Sequence, residues 1–211
     1  MSGAPPEAGT SVGKIGAARL AVLISGCGRT LLNIHDHIRR GDLACEIPLV
    51  IASSECPGAQ RARERGLHVE VMPGRIAEPT LVAALAKHAI DFVILAGYLK
   101  LLPIPPAFRG RVVNIHPALL PRFGGPGMHG RRVHEAVLAA GERESGCTVH
   151  FCDERFDTGA IILQRRCPVL PGDTPDTLAA RVFEEELIAY PQALRTLIEG
   201  KITPSAAPGR S

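Results

Sequence analysis

The chain has 211 residues, 45% of them hydrophobic and 21% charged, with a formal net charge of +3. That composition is globular, and a chain of this length buries about 70% of its unfolded surface as one domain. The basic pairs Arg39-Arg40, Arg131-Arg132 and Arg165-Arg166 are short, Trp is absent and Tyr is scarce, which excludes a basic tract or aromatic platform for nucleic acid.

Residues 1–18 are rich in Gly, Ala, Pro and Ser and lack the apolar stretch of a secretory signal. They read as a flexible lead-in, followed by a single domain over 19–203 and a flexible tail over 204–211. The apolar run 20–24 predicts a first strand and 30–40 a first helix. Next come a strand at 47–52, a helix at 58–65, a short strand at 68–71, a helix at 81–88 and a buried strand at 92–95. After a proline-rich loop at 103–106, Arg111 to Ile115 predicts another strand. Short β-branched runs alternating with helices predict an α/β fold: a Rossmann-like, mostly parallel central sheet flanked by helices. Beyond Pro121 the pattern changes to a glycine-rich loop at 123–130, a helix at 133–140 and paired strands at 147–152 and 160–164. A long helix at 177–199 follows, with Asp173-Thr174-Pro175 as its cap and first turn. No apolar run is long enough to span a membrane. The six cysteines form no Cys-x-x-Cys pair and no zinc spacing, so they read as reduced thiols of a cytoplasmic protein.

Three segments carry chemistry. In Asn114-Ile115-His116-Pro117 an amide and an imidazole stand two residues apart, so an extended chain projects both to one side. A carboxamide donates a hydrogen bond and an imidazole moves a proton, a pairing suited to acyl transfer. The following prolines turn the chain out of the sheet and leave both groups at a strand's carboxyl end. The second segment, Ser25-Gly26-Cys27-Gly28-Arg29-Thr30, joins the first strand to the first helix. Its glycines and the helix N-terminus suit a phosphate, although a tight packing turn would use the same residues. Leu31 stands where a dinucleotide fingerprint needs glycine, and no Walker lysine follows. The third is the turn Asp153-Glu154-Arg155-Phe156-Asp157, where one carboxylate is expected to sit beside His116, favour its charged form and raise its pKa, while spacing alone does not select which one.

Together these residues resemble the folate-dependent formyltransferases. The resemblance covers about 20–202. It rests on Asn114-Ile115-His116-Pro117 with Leu119-Leu120-Pro121, on Leu95-Ala96-Gly97-Tyr98-Leu99-Lys100-Leu101-Leu102, and on Gly146-Cys147-Thr148-Val149-His150-Phe151 followed by Asp157-Thr158-Gly159. It is strongest to the branch that formylates phosphoribosylglycinamide in purine biosynthesis.

The resemblance implies that Asn114, His116 and Asp157 are catalytic. It implies that Gly28, Arg29 and Thr30 hold the substrate phosphate and Glu186 the ribose. Leu99, Lys100, Leu101 and Leu102, with Asn114, would hold 10-formyltetrahydrofolate. It also implies a cis peptide at Leu120–Pro121. No metal is called for, because the formyl donor is already activated. The implied partners are the two small-molecule substrates, glycinamide ribonucleotide and formyl-folate, with neither nucleic acid nor membrane and with the chain a monomer or homodimer. Arg29-Thr30 departs from the family's usual Ser-Asn, and Arg29 would either bond the phosphate or face solvent. His129, His134 and His150 are expected to be supporting or structural. Competing readings are an amino-sugar formyltransferase, a formyltetrahydrofolate hydrolase, or a nucleotide-binding module without chemistry.

Overall fold

The computed structural model describes residues 17–202. The expected tail over 204–211, and all but the last two residues of the expected lead-in, lie outside the described residues. Ala18, assigned to the lead-in, is instead the first residue of β1 (Ala18–Ile24) and pairs with Cys45.

The elements follow in the order β1, α1 (Arg29–Arg39), β2 (Cys45–Ala52), α2 (Pro57–Glu64), β3 (Val69–Val71), α3 (Glu78–Lys87), β4 (Phe92–Leu95), β5 (Val112–His116), α4 (Arg131–Ala139), β6 (Glu144–Phe151), β7 (Ile161–Pro168) and α5 (Pro175–Ile198). They build one seven-stranded sheet in the order β3-β2-β1-β4-β5-β6-β7. The first five strands in that order run parallel, and β6 and β7 are antiparallel. The α/β expectation therefore holds.

Period-two alternation explains why β1 is apolar throughout. Leu20, Val22 and Ile24 face a core shared with α1, α2, α4 and α5, while Ala21 and Leu23 face a second core under α3. A central parallel strand covered on both faces has no polar side. Tyr190 of α5 is fully buried, and its hydroxyl lies 3.0 Å from the carbonyls of Leu95 and of Val113. It thus pins α5 against the carboxyl end of β4 and the first residues of β5.

Most predicted boundaries shift by a few residues. α3 starts at Glu78 because Pro79 falls in the first turn, where its missing N–H costs nothing. β7 runs on to Pro168, well past the predicted end at 164, because pairing continues through Cys147–Arg165 and Ser145–Cys167. Its arginines sit on the outer edge of the sheet, where charge discourages further pairing. Thr174 caps α5 and shares a capping box with Thr177. The peptide Leu120–Pro121 is cis, as the resemblance implied.

Candidate active site

The chain leaves β1 toward β2 on one side of the sheet, and β4 lies on the other. That switch point opens a crevice at the strands' carboxyl ends. A cleft of about 540 Å³ lies there, lined by residues 26–30, 96–99 and 114–117, the loop 125–130, and Glu186 and Phe183 of α5. A smaller groove of about 50 Å³ adjoins it and shares Tyr98, Asn114, Phe156 and Asp157.

The loop 25–28 is held from behind. Gly58 N–H donates to the Gly26 carbonyl (3.0 Å), and Arg61 donates to the Cys27 carbonyl (3.0 Å). A Cβ on Gly58 would meet the Gly26 oxygen at 2.6 Å, and one on Gly28 would meet Gly58 Cα at 2.9 Å. Both glycines are therefore needed for close approach. With its carbonyls tied to α2, the loop turns toward the cleft beside the free N–H groups that begin α1. Arg29 does not simply face solvent: its guanidinium lies 3.9 Å from the centroid of the Phe183 ring. Its charge also opposes the effect of burial on Glu186, but burial prevails and pushes that carboxyl up to about 7.

Asn114 and His116 line the cleft from β5, as their i, i+2 spacing predicts. Asp157 comes in from the β6–β7 connection. Its Oδ2 lies 3.5 Å from His116 Nδ1 and accepts the Gly125 N–H at 2.9 Å, and its Oδ1 lies 3.5 Å from Asn114 Nδ2. The other two acids of the turn do different work. Asp153 accepts bonds from the Arg155 N–H and the Thr158 hydroxyl, and Glu154 is exposed, 3.5 Å from Arg109.

Carbonyl partners fix the histidine tautomers. His116 Nε2 donates to the Phe123 carbonyl at 2.7 Å, so in the neutral ring Nδ1 is the basic nitrogen, next to Asp157. His150 Nδ1 donates to the Phe151 carbonyl at 2.8 Å, leaving Nε2 to accept from Asn114 Nδ2 at 3.2 Å. Its place follows from strand pairing, since β6 sets His150 opposite Asn114.

Burial lowers the pKa of His116, which is 3% exposed, and the nearby Asp157 charge only partly offsets this. The expectation that Asp157 raises it above the ordinary value is thus corrected: the carboxylate acts in the expected direction, but desolvation is larger. Burial also works against Asp157 ionisation, yet the carboxyl is held below the usual value, with the Gly125 N–H donating to its Oδ2. The pair at rest is therefore a neutral imidazole beside a carboxylate.

Two residues at this site adopt φ of +57° without being glycine, Phe123 and Asp157. Phe123 is the more strained, since Asp tolerates this region better. That conformation directs the Phe123 carbonyl at His116, and Gly124 lets the loop lie against Asp157, where a Cβ would meet the Asp157 Cβ at 3.1 Å. Sequence reasoning singled out neither Phe123 nor Phe183. His134, buried and without a partner for Nδ1, also lines the cleft.

The folate segment divides between the two spaces. Leu99 is exposed at the large cleft, while Lys100, Leu101 and Leu102 line the small groove. Lys100 donates to the Gly74 carbonyl (3.0 Å). Leu102 is largely buried in the α3-side core. Among the described residues no helix is long and apolar enough to cross a membrane.

A family model described as formyl transferase matches residues 18–194. The chain is 46% identical over 193 residues to the chloroplastic phosphoribosylglycinamide formyltransferase of Vigna unguiculata, covering 87% of this chain and 62% of that protein. It thus spans less than two thirds of that relative's length. It is 34% identical over 193 residues to the phosphoribosylglycinamide formyltransferase of Haemophilus influenzae, covering 87% of this chain and 89% of that one. The crystal structure of glycinamide ribonucleotide transformylase 1 from Symbiobacterium toebii matches with a TM-score of 0.82 and 36% identity, covering 92% of each chain.

Proposed function

The chain belongs to the formyl transferase family, and from that premise we propose that it transfers the formyl group of 10-formyltetrahydrofolate to the amine of 5-phosphoribosylglycinamide in purine biosynthesis. The observation that carries the proposal is the convergence of Asn114, His116 and Asp157 where a large cleft and a small groove meet. Two substrates entering from the two spaces would bring an amine and a formyl carbon together beside these groups.

In this reading the ribonucleotide occupies the large cleft. Its phosphate lies at Gly28, Arg29 and Thr30, where backbone N–H groups and a guanidinium offer donors. Its ribose lies toward Glu186. The folate lies along Leu99, Lys100, Leu101 and Leu102, with its formyl group at Asn114.

The amine attacks the formyl carbon, and the carbonyl electrons move onto oxygen. One N–H of Asn114 is occupied by His150; the other meets Asp157 only at 3.5 Å, a poor hydrogen bond, and is available to that oxyanion. One such donor is worth about 2.7–4 kcal/mol in the transition state. The attacking nitrogen now carries a positive charge and gives its proton to His116 Nδ1. The imidazolium forms next to Asp157, which stabilises it without taking the proton. His116 then protonates the departing folate nitrogen as the C–N bond breaks, and the oxyanion electrons restore the carbonyl. The products are formylated ribonucleotide and tetrahydrofolate, and the histidine returns to its neutral form. His150 is a positioning residue, since it acts by orienting the Asn114 amide.

The region 18–202 is proposed to act as one formyl-transfer domain. A cytoplasmic setting is part of the same reading, supported by six free cysteines. The test is to mix purified protein with glycinamide ribonucleotide and 10-formyltetrahydrofolate and measure tetrahydrofolate release. Release that requires the ribonucleotide supports the proposal. Equal release without it would identify a hydrolase and overturn the proposal.

A further inference from the structure

At the far edge of the sheet, separated from β5 by β2, β1 and β4, lies a cluster the formyl chemistry does not use. His68, immediately before strand β3, and Glu70 within it are two residues apart, so along an extended chain they share a face. His88, the residue closing α3, meets them there. We propose that His68, Glu70 and His88 form a divalent transition-metal site whose natural occupant is Zn²⁺, tying edge strand β3 to the end of α3.

The geometry carries this. Glu70 Oε1 lies 3.4 Å from His68 Nε2 and 3.4 Å from His88 Nε2, and the three ligand atoms are all within 4.8 Å of one another. For hydrogen bonds those separations are long. Tetrahedral zinc with bonds of about 2.0–2.1 Å spaces its ligand atoms about 3.3–3.4 Å apart, so two edges of the tetrahedron are already set. The third edge closes by rotation of His68, whose side chain is the most exposed of the three. Both histidines offer Nε2, and the ligand set is two imidazoles and a carboxylate. That set suits zinc better than magnesium or calcium, which prefer oxygen ligands. A fourth position opens to solvent for water. Lys87 reaches the same Glu70 oxygen at 3.2 Å, so the carboxylate already attracts a cation. Among the described residues this is the one group of three His, Cys, Asp or Glu side chains with such spacing.

Whole protein treated with a chelator and then titrated with Zn²⁺ at pH 7.5 is expected to bind one equivalent in calorimetry. Substituting Co²⁺ should give the visible ligand-field absorption of a tetrahedral nitrogen–oxygen site. His68→Ala and His88→Ala should each weaken binding by at least about 10-fold, the lower bound measured for changes even to groups that only orient a metal's ligands. Lys87→Gln should tighten it by removing the competing cation. A hundredfold excess of free Zn²⁺ over Kd should raise Tm by roughly 5–10 °C, and the double variant His68→Ala/His88→Ala should lose that rise. Formyl-transfer activity reports that each variant is folded. Absence of saturable binding, undiminished binding in the double variant, or a thiolate charge-transfer band with Co²⁺ would overturn the site.

Discussion

Replacing Asp157 with Asn separates charge from shape at the centre of the proposed mechanism. The amide oxygen still accepts the Gly125 N–H, so the loop remains anchored. What is lost is a negative charge 3.5 Å from His116 Nδ1. Coulomb's law puts that attraction at about 1.2 kcal/mol in water and about 4.7 kcal/mol at an effective dielectric constant of 20. Both side chains are nearly buried, so the upper part of the range applies. At about 1.36 kcal/mol per tenfold in rate, turnover should fall between roughly tenfold and a few thousandfold. The sign for pH follows from the same pair. Burial already depresses the His116 pKa, and Asp157 is the principal group raising it. Without the carboxylate the pKa falls further. The acid limb of the rate profile, where His116 must lose its proton to act as base, should move to lower pH while the plateau drops. Ribonucleotide affinity should hardly change, since the phosphate and ribose contacts lie elsewhere in the cleft. Tetrahydrofolate release across pH, with ligand titration alongside, measures all three. A near-normal plateau with an unmoved limb would refute the role of Asp157.

Gly58→Ala drives a Cβ to 2.6 Å from the Gly26 oxygen and 2.9 Å from the Gly28 nitrogen. This should destabilise by about 1–3 kcal/mol and raise the Michaelis constant for the ribonucleotide, read from denaturant midpoints and initial rates. Arg29→Ala should raise that constant more than the one for folate, and equal effects would remove Arg29 from the phosphate site. Because burial pushes Glu186 up to about 7, ribonucleotide affinity should improve as pH rises through that value and its carboxylate forms. In Arg29→Ala the improvement should shift to still higher pH, since Arg29 is the charge that opposes the effect of burial. Tyr190→Phe strips the hydroxyl that lies beside the Leu95 and Val113 carbonyls. It should cost about 1–3 kcal/mol in urea unfolding.

The architecture was legible because its signals are local. Buried parallel strands write themselves as short apolar runs, such as Leu20 to Ile24, and turns between them as Gly, Pro and Asp. Strand ends were less legible because pairing, rather than composition, extends them. Arg165 and Arg166 belong to β7 through their partners Cys147 and Gly146, and nothing in the segment Gln164-Arg165-Arg166 is itself strand-like.

The site divides along the same line. Asn114 and His116 could be read because two residues in an extended chain share a side. Asp157 was picked out from Asp153 and Glu154 only by family resemblance, because residue spacing does not show a loop fold in which Asp157 takes a φ of +57° and meets the Gly125 N–H. His150 is a register effect: β6 sets it opposite Asn114, and a one-residue slip would turn it to the other face. The sign of the His116 shift is the deepest case. Sequence names the charge that raises the pKa but not the depth of burial that lowers it, and here burial prevails. That reversal alters the chemistry assigned to the residue. A histidine held protonated would begin as an acid and have no place for the amine's proton. A neutral one, tied at Nε2 to the Phe123 carbonyl and open at Nδ1, takes that proton first and has it ready when the folate nitrogen leaves.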